Sequence, residues 1–183
     1  AYASVYGNTE NTVNIVASKL ADKGVRNIKI YDVSKTHASY ILAEAFRCSH
    51  IIFASTTYNA GIFVNMENLI HDIVAHNLQN RTVAIIENGS WAPTSGSLIR
   101  EQLQKCQNIN TLDNCISIRS SLKKEQLSDI DALVDALYSS IPNPTLTPKD
   151  DPNVESKAMN KLSYGLFVLT AKENGKDNGC IIN

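Results

Sequence analysis

The sequence predicts an α/β protein with a doubly wound parallel sheet of five strands, in the order 2-1-3-4-5, and helices on both faces. Strand and helix patterns alternate from the first residues to about residue 141. Residues 50–55 and 81–87 are continuous apolar runs, which are typical of parallel strands buried on both faces. The segments around these runs carry apolar residues at helical spacing. This alternation favours right-handed crossovers within one parallel sheet.

The predicted elements follow one another with short connections. The first strand ends near Ala3, and the later strands are predicted at residues 27–33, 50–55, 81–87 and 111–118. After the first helix, further helices are predicted at about 38–47, 65–76, 95–105 and 123–140. The apolar faces of the first, third and last helices are Val13, Val16, Ala17 and Leu20; Met66, Leu69, Ile70 and Ile73; and Leu127, Ile130, Leu133, Val134 and Leu137.

The composition excludes several classes of partner. The 183 residues carry a formal net charge of −1, and no basic run is longer than Lys123-Lys124, so the clustered cations that nucleic-acid binding needs are missing. No apolar run approaches the roughly 20 residues of a membrane span, and no signal peptide is recognisable. The four cysteines are scattered without C-x-x-C spacing, which favours reduced thiols and a cytoplasmic location.

The composition changes after the predicted first domain, residues 1–141. Residues 142–156 hold four prolines and many small polar residues and are predicted to be a linker. Within residues 157–183, two strand patterns at 166–171 and 179–182 flank a Gly/Asn/Lys turn, which predicts a hairpin. This hairpin is expected to open a second domain, or else to dock on the first domain or on a neighbouring chain in a homo-oligomer. Both ends resemble interrupted strands, so we expect a piece of a longer protein.

Three loops rich in Ser, Thr, Asn and Gly follow the first, third and fourth predicted strands. They cover residues 4–10, 55–63 and 88–96. Because strands 1, 3 and 4 are neighbours in the predicted order, these loops are expected to surround one crevice at the carboxyl edge of the sheet. Ligands of doubly wound proteins bind at such an edge.

The first loop has the features of an anion site. Gly7 permits a tight turn, and Asn8 or Thr9 can cap the helix that follows. The first N–H groups of that helix, with the hydroxyls of Ser4 and Thr9, can then hold a phosphate without any Lys or Arg. The alternative is a glycine turn and a capped helix that bind nothing.

The second and third loops each contain an aromatic residue. Tyr58 offers a flat face beside the polar groups of Asn59 and Gly61, and Trp91 is the single tryptophan, with Pro93 close behind it. Two aromatics at one crevice can enclose a planar ring, although ordinary surface packing would explain either of them alone. A phosphate at one end and a planar heterocycle at the other fit FMN.

Three stretches, "YASVYGNTE", "YDVSKTHASYILAEAFRCSHIIFASTTYNAGIFVNMENLIHDI" and "IENGSWAP", resemble the flavodoxin-like module of flavodiiron proteins. The resemblance spans residues 1 to about 141. It implies a flavodoxin-like fold with FMN, which passes electrons to a di-iron centre that reduces dioxygen or nitric oxide. The FMN contacts are then expected from Ser4, Tyr6, Gly7, Asn8 and Thr9; from Thr56, Thr57, Tyr58, Asn59 and Gly61; and from Asn88, Gly89, Ser90 and Trp91.

The chain departs from this family at two loops and resembles another module past the linker. The family's second loop usually reads P-T-Y-N, whereas this chain has "TTYN" at 56–59. Its third loop often reads G-S-Y-S-W-S-G-G, whereas this chain has "NGSWAP" at 88–93. The stretch "KLSYGLFVLTAKENGKDNGCIIN" looks like the beginning of a flavin-reductase-like split barrel. Di-iron and flavin-reductase modules, or a separate redox protein, are therefore the expected partners.

No side chain is expected to act as a catalytic acid, base, nucleophile or metal ligand. The four histidines (His37, His50, His71 and His76) lack the H-x-E-x-D spacing of the family's di-iron ligands. We therefore expect an electron carrier within a larger oxidoreductase. An FMN-dependent NAD(P)H:quinone reductase of flavodoxin fold is the alternative, and a module that has lost its flavin is a third hypothesis. A phosphorylated receiver domain is disfavoured because its acidic residues are missing from the first two loops.

Overall fold

The computed structural model describes residues 1–142 and the backbone of residues 167–173 and 176–182. The chain divides into two compact units, Ala1–Thr145 and Leu146–Asn183. In the described residues, no helix has both the length and the apolar character needed to cross a membrane.

The first unit is built on a mainly parallel sheet. Its strands are β1 (Tyr2–Ala3), β2 (His50–Tyr58), β3 (Gly61–Ile62), β4 (Arg81–Asn88), β5 (Ile109–Thr111) and β6 (Ile116–Ile118). Its helices are α1 (Asn8–Asp22), α2 (Ala38–Arg47), α3 (Val64–Ala75), α4 (Ser95–Leu103) and α5 (Leu127–Ser140). The order β1-β2-β4 continues into β5 and β6, all parallel, and β3 is antiparallel to β2. The predicted fold class is confirmed, and the strand order agrees with it.

Helices cover both faces of this sheet because successive strand residues point to opposite sides. On β2, Phe53 packs with residues of α2, α3 and α4, whereas its neighbour Ala54 packs with residues of α1 and α5. On β4, Ile85 and Ile86 divide in the same way. The apolar faces predicted for the first, third and last helices supply most of the helical part of these two clusters.

The predicted strand at residues 27–33 is wrong except at its end. Asp32 forms an isolated parallel bridge with Tyr2. The Tyr2 N–H donates to Tyr31 O at 2.8 Å, and the Tyr2 carbonyl accepts from Val33 N at 3.0 Å. Residues 27–30 lie outside any strand. Because β1 holds only two residues, these four have no strand beside them with which to form a ladder.

Three further boundaries differ from the prediction. The last predicted strand is two short strands, β5 and β6, because the chain turns at Asp113, whose carbonyl accepts from Cys115 N at 2.8 Å. The predicted loop at 55–63 is largely a hairpin of β2 and β3. The last helix is preceded by a short 3₁₀ turn at Lys124–Gln126 and begins as α5 only at Leu127.

The described part of the second unit is one antiparallel hairpin. β7 (Phe167–Glu173) and β8 (Lys176–Ile182) pair from Phe167 opposite Ile182 to Glu173 opposite Lys176. The predicted hairpin is confirmed, with longer strands than the sequence indicated. The predicted linker, apart from Pro142, and residues 157–166 lie outside the described residues.

Candidate functional site

The three predicted loops meet at the carboxyl edge of the sheet. Thr9 is fully buried, and its Oγ1 lies 3.1 Å from Thr56 Oγ1 at the end of β2. The Asn88 amide at the end of β4 donates to the same Thr9 hydroxyl at 3.2 Å. Thr9 therefore joins one residue from each of the other two loops, which brings the three predicted loops together.

The first loop presents backbone donors. Gly7 precedes α1 with a φ of +83°, in the left-handed region that glycine adopts without strain. The first intrahelical bond runs from Asn11 N to Gly7 O at 2.8 Å, so the amides of Asn8, Thr9 and Glu10 have no partner within the helix. Capping by Asn8 or Thr9 was predicted and is wrong, since both lie inside α1 and no side chain caps this turn in the described structure.

Ser4 connects β1 to this loop and carries an unusual polar atom. Its Oγ is buried and has no hydrogen-bond partner among the described residues. A buried hydroxyl without a partner costs about 1–3 kcal/mol, so such atoms are uncommon in folded proteins. An anion bound at the first turn of α1 would supply the acceptor that Ser4 lacks.

The second loop is a tight β-hairpin. Tyr58 pairs with Gly61, and the two residues between them, Asn59 and Ala60, have φ values of +48° and +57°. Positive φ at both central positions is typical of a type I′ turn, in which Asn-Gly is the preferred sequence. Alanine at the second position is therefore strained.

The Thr57 side chain is engaged by the protein itself. Its hydroxyl accepts from the N–H groups of Thr94 at 3.0 Å and Ser95 at 3.2 Å, at the start of α4. Ser95 in turn donates to Ser55 O at 2.9 Å. The Thr57 hydroxyl thus accepts from two N–H groups in the first turn of α4. Thr57 would therefore contact a ligand through its backbone.

The third loop is hydrogen-bonded to the loop that follows β6. The Asn88 amide also donates to Ser120 O at 2.9 Å, and its carbonyl accepts from Ser120 N at 3.1 Å. Ser90 Oγ lies 3.3 Å from Ser120 Oγ. At Gly89 a Cβ would lie 2.9 Å from Pro93 Cα, so only glycine fits there.

Ser120 is a residue that sequence reasoning missed. It follows β6 with a φ of +66°, in a loop whose composition does not indicate a binding site. The available signal was Asn88, because an amide at the end of a buried strand needs partners for both its donor and its acceptor. The sequence gives no sign that Ser120 supplies them from 32 positions away.

Three aromatic side chains are exposed around this edge. Tyr6 is 90% exposed, Trp91 is 93% exposed and Tyr58 is 50% exposed, with the Tyr58 ring packed edge-on against Phe63 at 6.2 Å between centroids. Exposed aromatic surface beside polar groups is characteristic of binding sites.

Two carboxylates near these loops accept hydrogen bonds from the protein. Tyr2 Oη donates to Glu10 at 2.9 Å, and burial together with this bond raises the pKa of Tyr2 to about 12. Glu87 accepts from Gly96 N at 2.9 Å. Among the described residues, no group of three or more His, Cys, Asp or Glu side chains is arranged to hold a metal ion.

Sequence comparison gives two distant relatives among curated proteins, and no protein-family model matches the chain. An uncharacterized protein of Methanocaldococcus jannaschii is 22% identical over 126 residues, which cover 69% of this chain and 32% of the relative. An anaerobic nitric oxide reductase flavorubredoxin of Aeromonas hydrophila is 26% identical over 136 residues, which cover 73% of this chain and 26% of the relative. The chain thus spans less than a third of the length of either curated relative.

Solved structures of flavodoxins and flavodiiron proteins share this architecture. Rubredoxin:oxygen oxidoreductase from Desulfovibrio gigas matches with a TM-score of 0.66 and 21% identity, over 75% of this chain and 35% of that one. The flavodiiron protein of Giardia intestinalis matches with a TM-score of 0.65 and 14% identity, over 73% and 33%. An archaeal flavodoxin matches with a TM-score of 0.64 and 19% identity, over 75% and 93%. The expected flavodoxin-like fold is confirmed, and this unit resembles the flavodoxin-like part of flavodiiron proteins.

Proposed function

We propose that the first unit binds FMN at this edge and serves as an electron-transfer module of a larger oxidoreductase of the flavodiiron type. The observation that carries the proposal is the convergence of three polar loops on Thr9, beside a buried hydroxyl without a partner. The flavodiiron and flavorubredoxin relatives supply the class of parent protein.

The phosphate end of FMN is assigned to the first loop. Ser4, Tyr6, Gly7, Asn8 and Thr9 form the turn, and the amides at the start of α1 point out of a helix of 15 residues with no side-chain cap. A helix N-terminus of this kind favours an anion through its dipole and its unpaired N–H groups. The buried Ser4 hydroxyl fits a phosphate oxygen as its acceptor.

The ring end is assigned to the second and third loops. Tyr58 and Trp91 provide aromatic faces, while the type I′ turn and the Asn88 corner provide backbone polar groups. The assigned residues are Thr56, Thr57, Tyr58, Asn59 and Gly61 of the second loop, and Asn88, Gly89, Ser90 and Trp91 of the third.

FMN, when bound, supplies reversible one- and two-electron transfer. The protein contributes position and environment. The first loop fixes the phosphate, the aromatic residues limit the access of water to the ring, and the hairpin presents backbone groups to its edge. None of these roles needs a side chain that acts as an acid, base or nucleophile.

The surrounding organisation belongs to the same proposal. Residues 1–141 form the FMN domain, 142–156 a linker, and 157–183 the start of a flavin-reductase-like domain, with di-iron and flavin-reductase modules as partners. Three described cysteines are free thiols, which supports a reducing cytoplasm as the location. Formation of a homo-oligomer through the hairpin is a further arrangement consistent with this organisation.

The test is a flavin titration with two ligands. Quenching of flavin fluorescence on addition of the chain measures binding, and riboflavin, which lacks the phosphate, serves as the matched ligand. We expect FMN to bind at least tenfold more tightly than riboflavin, and its visible absorption to bleach with dithionite. Failure to take up FMN would refute the proposal. Rapid bleaching by NADH alone, with turnover of free quinone, would favour the quinone reductase instead.

A pair of substitutions at Trp91 separates the ring end from the phosphate end. Trp91→Phe keeps an aromatic face and should retain most of the affinity for both flavins. Trp91→Ala should weaken riboflavin and FMN by the same factor, because both carry the ring. Trp91 is almost fully exposed, so neither substitution should lower stability by more than about 0.5 kcal/mol.

A further inference from the structure

The first turn of α1 carries a glutamate at a position from which helices often cap themselves. Gly7 directly precedes the helix, and Glu10 is its third residue. A glutamate at this position can reach back, so that its carboxylate accepts from the N–H of the residue before the helix, here Gly7. The helix dipole favours this arrangement, because it stabilises negative charge in the first turn. The sequence "GNTE" at 7–10 would therefore suit a helix capped by its own glutamate.

The structure shows this carboxylate bound elsewhere. Glu10 Oε1 accepts from Tyr2 Oη of β1 at 2.9 Å, and no side chain caps α1 in the described residues. Within residues 1–142, Glu10 forms no salt bridge with a Lys or Arg, and Gly7 N–H has no backbone acceptor. The donors of the turn are therefore free, although a carboxylate that could accept from them belongs to the same turn.

Tyr2 is held as the donor of this bond. The residue is buried, and its ring packs in the cluster of α1 and α5. Burial, the bond to Glu10 and the charges of Asp32 and Glu10 raise the pKa of Tyr2 to about 12, so the phenol keeps its proton at neutral pH. Asp32 is engaged by its own turn, where its carboxylate accepts from Ser34 N at 2.8 Å and pairs with Lys35 at 3.4 Å. The Tyr2 proton is therefore directed to Glu10.

We propose that Tyr2 is a positioning residue for the phosphate site: its hydroxyl holds the Glu10 carboxylate away from the first turn of α1 and so keeps the N–H groups of that turn free for an anion. Tyr2 acts through Glu10 and not by contact with the ligand. Without the phenol, Glu10 becomes an internal competitor, which accepts from the same donors and repels a phosphate by its charge. The inference takes its ligand from the proposed function, whereas the contact between Tyr2 and Glu10 is independent of it.

The first test removes the hydroxyl and keeps the buried ring. By fluorescence titration, Tyr2→Phe should weaken FMN about tenfold and change riboflavin by less than about twofold, because riboflavin carries no phosphate. Tyr31→Phe is the matched control, since Tyr31 lies beside Tyr2 but packs against the cluster of α2 and α3. This control should change neither affinity. An unchanged FMN affinity in Tyr2→Phe, or an equal loss of both flavins, would overturn the proposal.

Removal of the competitor separates positioning from a merely structural bond. Adding Glu10→Ala to Tyr2→Phe should bring the Kd for FMN back to within about threefold of that of the unaltered chain, since no carboxylate is left to fill the turn. The gain from Glu10→Ala should be at least about fivefold larger in Tyr2→Phe than in the chain that keeps Tyr2.

Two results of this cycle would contradict the inference. If the bond only fastens α1 to β1, the double variant should bind FMN as weakly as Tyr2→Phe does. If Glu10 acts by its charge alone, wherever it lies, Glu10→Ala should give equal gains with and without the Tyr2 hydroxyl. Either result would show that Tyr2 does not direct the Glu10 carboxylate.

Amide hydrogen exchange tests the same contact without any flavin. In Tyr2→Phe, the Gly7 amide should exchange at least about fivefold more slowly than in the unaltered chain, because Glu10 then accepts from it. Adding Glu10→Ala should restore the faster rate. If the unaltered chain takes up no FMN, the proposed function fails, but this protection would still show that Tyr2 directs Glu10. No added protection at any amide of residues 7–10 would refute the displacement, even where FMN binds normally.

Discussion

Substitution of Gly7 by alanine tests whether the first loop holds a phosphate. Gly7 has a φ of +83°, and a Cβ added there would meet nothing within 4 Å. The cost is therefore backbone strain alone, roughly 1–2 kcal/mol for an L-residue in the left-handed region. Gly24, beyond the other end of α1, has a φ of +89° and equally open surroundings, so Gly24→Ala is a matched control.

The strain in Gly24→Ala can appear only as lost stability, and at roughly 2–4 °C per kcal/mol for a chain of this size its Tm should fall by about 2–8 °C. In Gly7→Ala the same strain appears as an equal fall in Tm if the loop keeps its conformation, or as weaker FMN binding if the loop relaxes. If Gly7→Ala relaxes the loop, restoring it on binding costs the same strain, and the Kd for FMN rises by roughly 5- to 30-fold. Gly24→Ala should change that Kd by less than twofold.

The assay is fluorescence titration of each variant with FMN and riboflavin, with Tm measured in parallel. Riboflavin has no phosphate, so its affinity should be the same in both variants. An equal loss of FMN and riboflavin in Gly7→Ala would mean that the loop holds the ring instead. A fall in Tm well below that of Gly24→Ala, together with an unchanged FMN affinity, would mean that the loop relaxes at no cost to binding and would refute the assignment of the phosphate to this turn.

Two further predictions concern stability and are measured by urea unfolding. Asn88→Ala removes the bonds to Thr9 and Ser120 and should cost about 1–3 kcal/mol, whereas Asn110→Ala on the exposed side of β5 should cost less than about 0.5 kcal/mol. Ala60→Gly creates the preferred Asn-Gly turn and should add about 1 kcal/mol; a loss would mean that the turn is not strained.

The fold could be predicted because its strongest signals do not depend on distant contacts. The runs at 50–55 and 81–87 are apolar on both faces, and only a strand between two helical layers needs that pattern. The helices α1 and α3 carry their apolar faces at regular spacing, and the bounds predicted for the third helix, about 65–76, differ from Val64–Ala75 by one residue at each end. These features are local properties of the chain.

The errors occurred where structure depends on a neighbour. Residues 27–30 have a strand pattern, but a strand forms only where a partner lies beside it, and β1 is too short to reach them. One strand was predicted at 111–118, whereas β5 and β6 each pair with β4, on either side of a turn at Asp113. Strand pairing depends on two segments of the chain, whereas a local sequence pattern describes only one of them.

The meeting of the three loops was predicted from the sequence, but the residues that hold them together were not. The residue types of the loops indicated a ligand, and the strand order placed the loops together. The contribution of Ser120 depends on a left-handed backbone at a serine, for which the sequence carries no signal. The strain at Ala60 was missed for a related reason, because alanine gives no indication of a type I′ turn.

The carboxyl end of β2 explains how the loops keep their positions without a Lys or Arg. Within four residues this strand passes from Phe53 in the core to hydroxyls that bond with the protein: Ser55 accepts from Phe63 N at 3.4 Å, and Thr56 donates to Ala3 O at 3.3 Å. Thr57 then anchors the start of α4. Each bond fixes a different loop to one rigid strand, so the loops are positioned before any ligand arrives. A site ordered in advance loses less entropy on binding, and neutral donors held in this way can bind a phosphate without a Lys or Arg beside it.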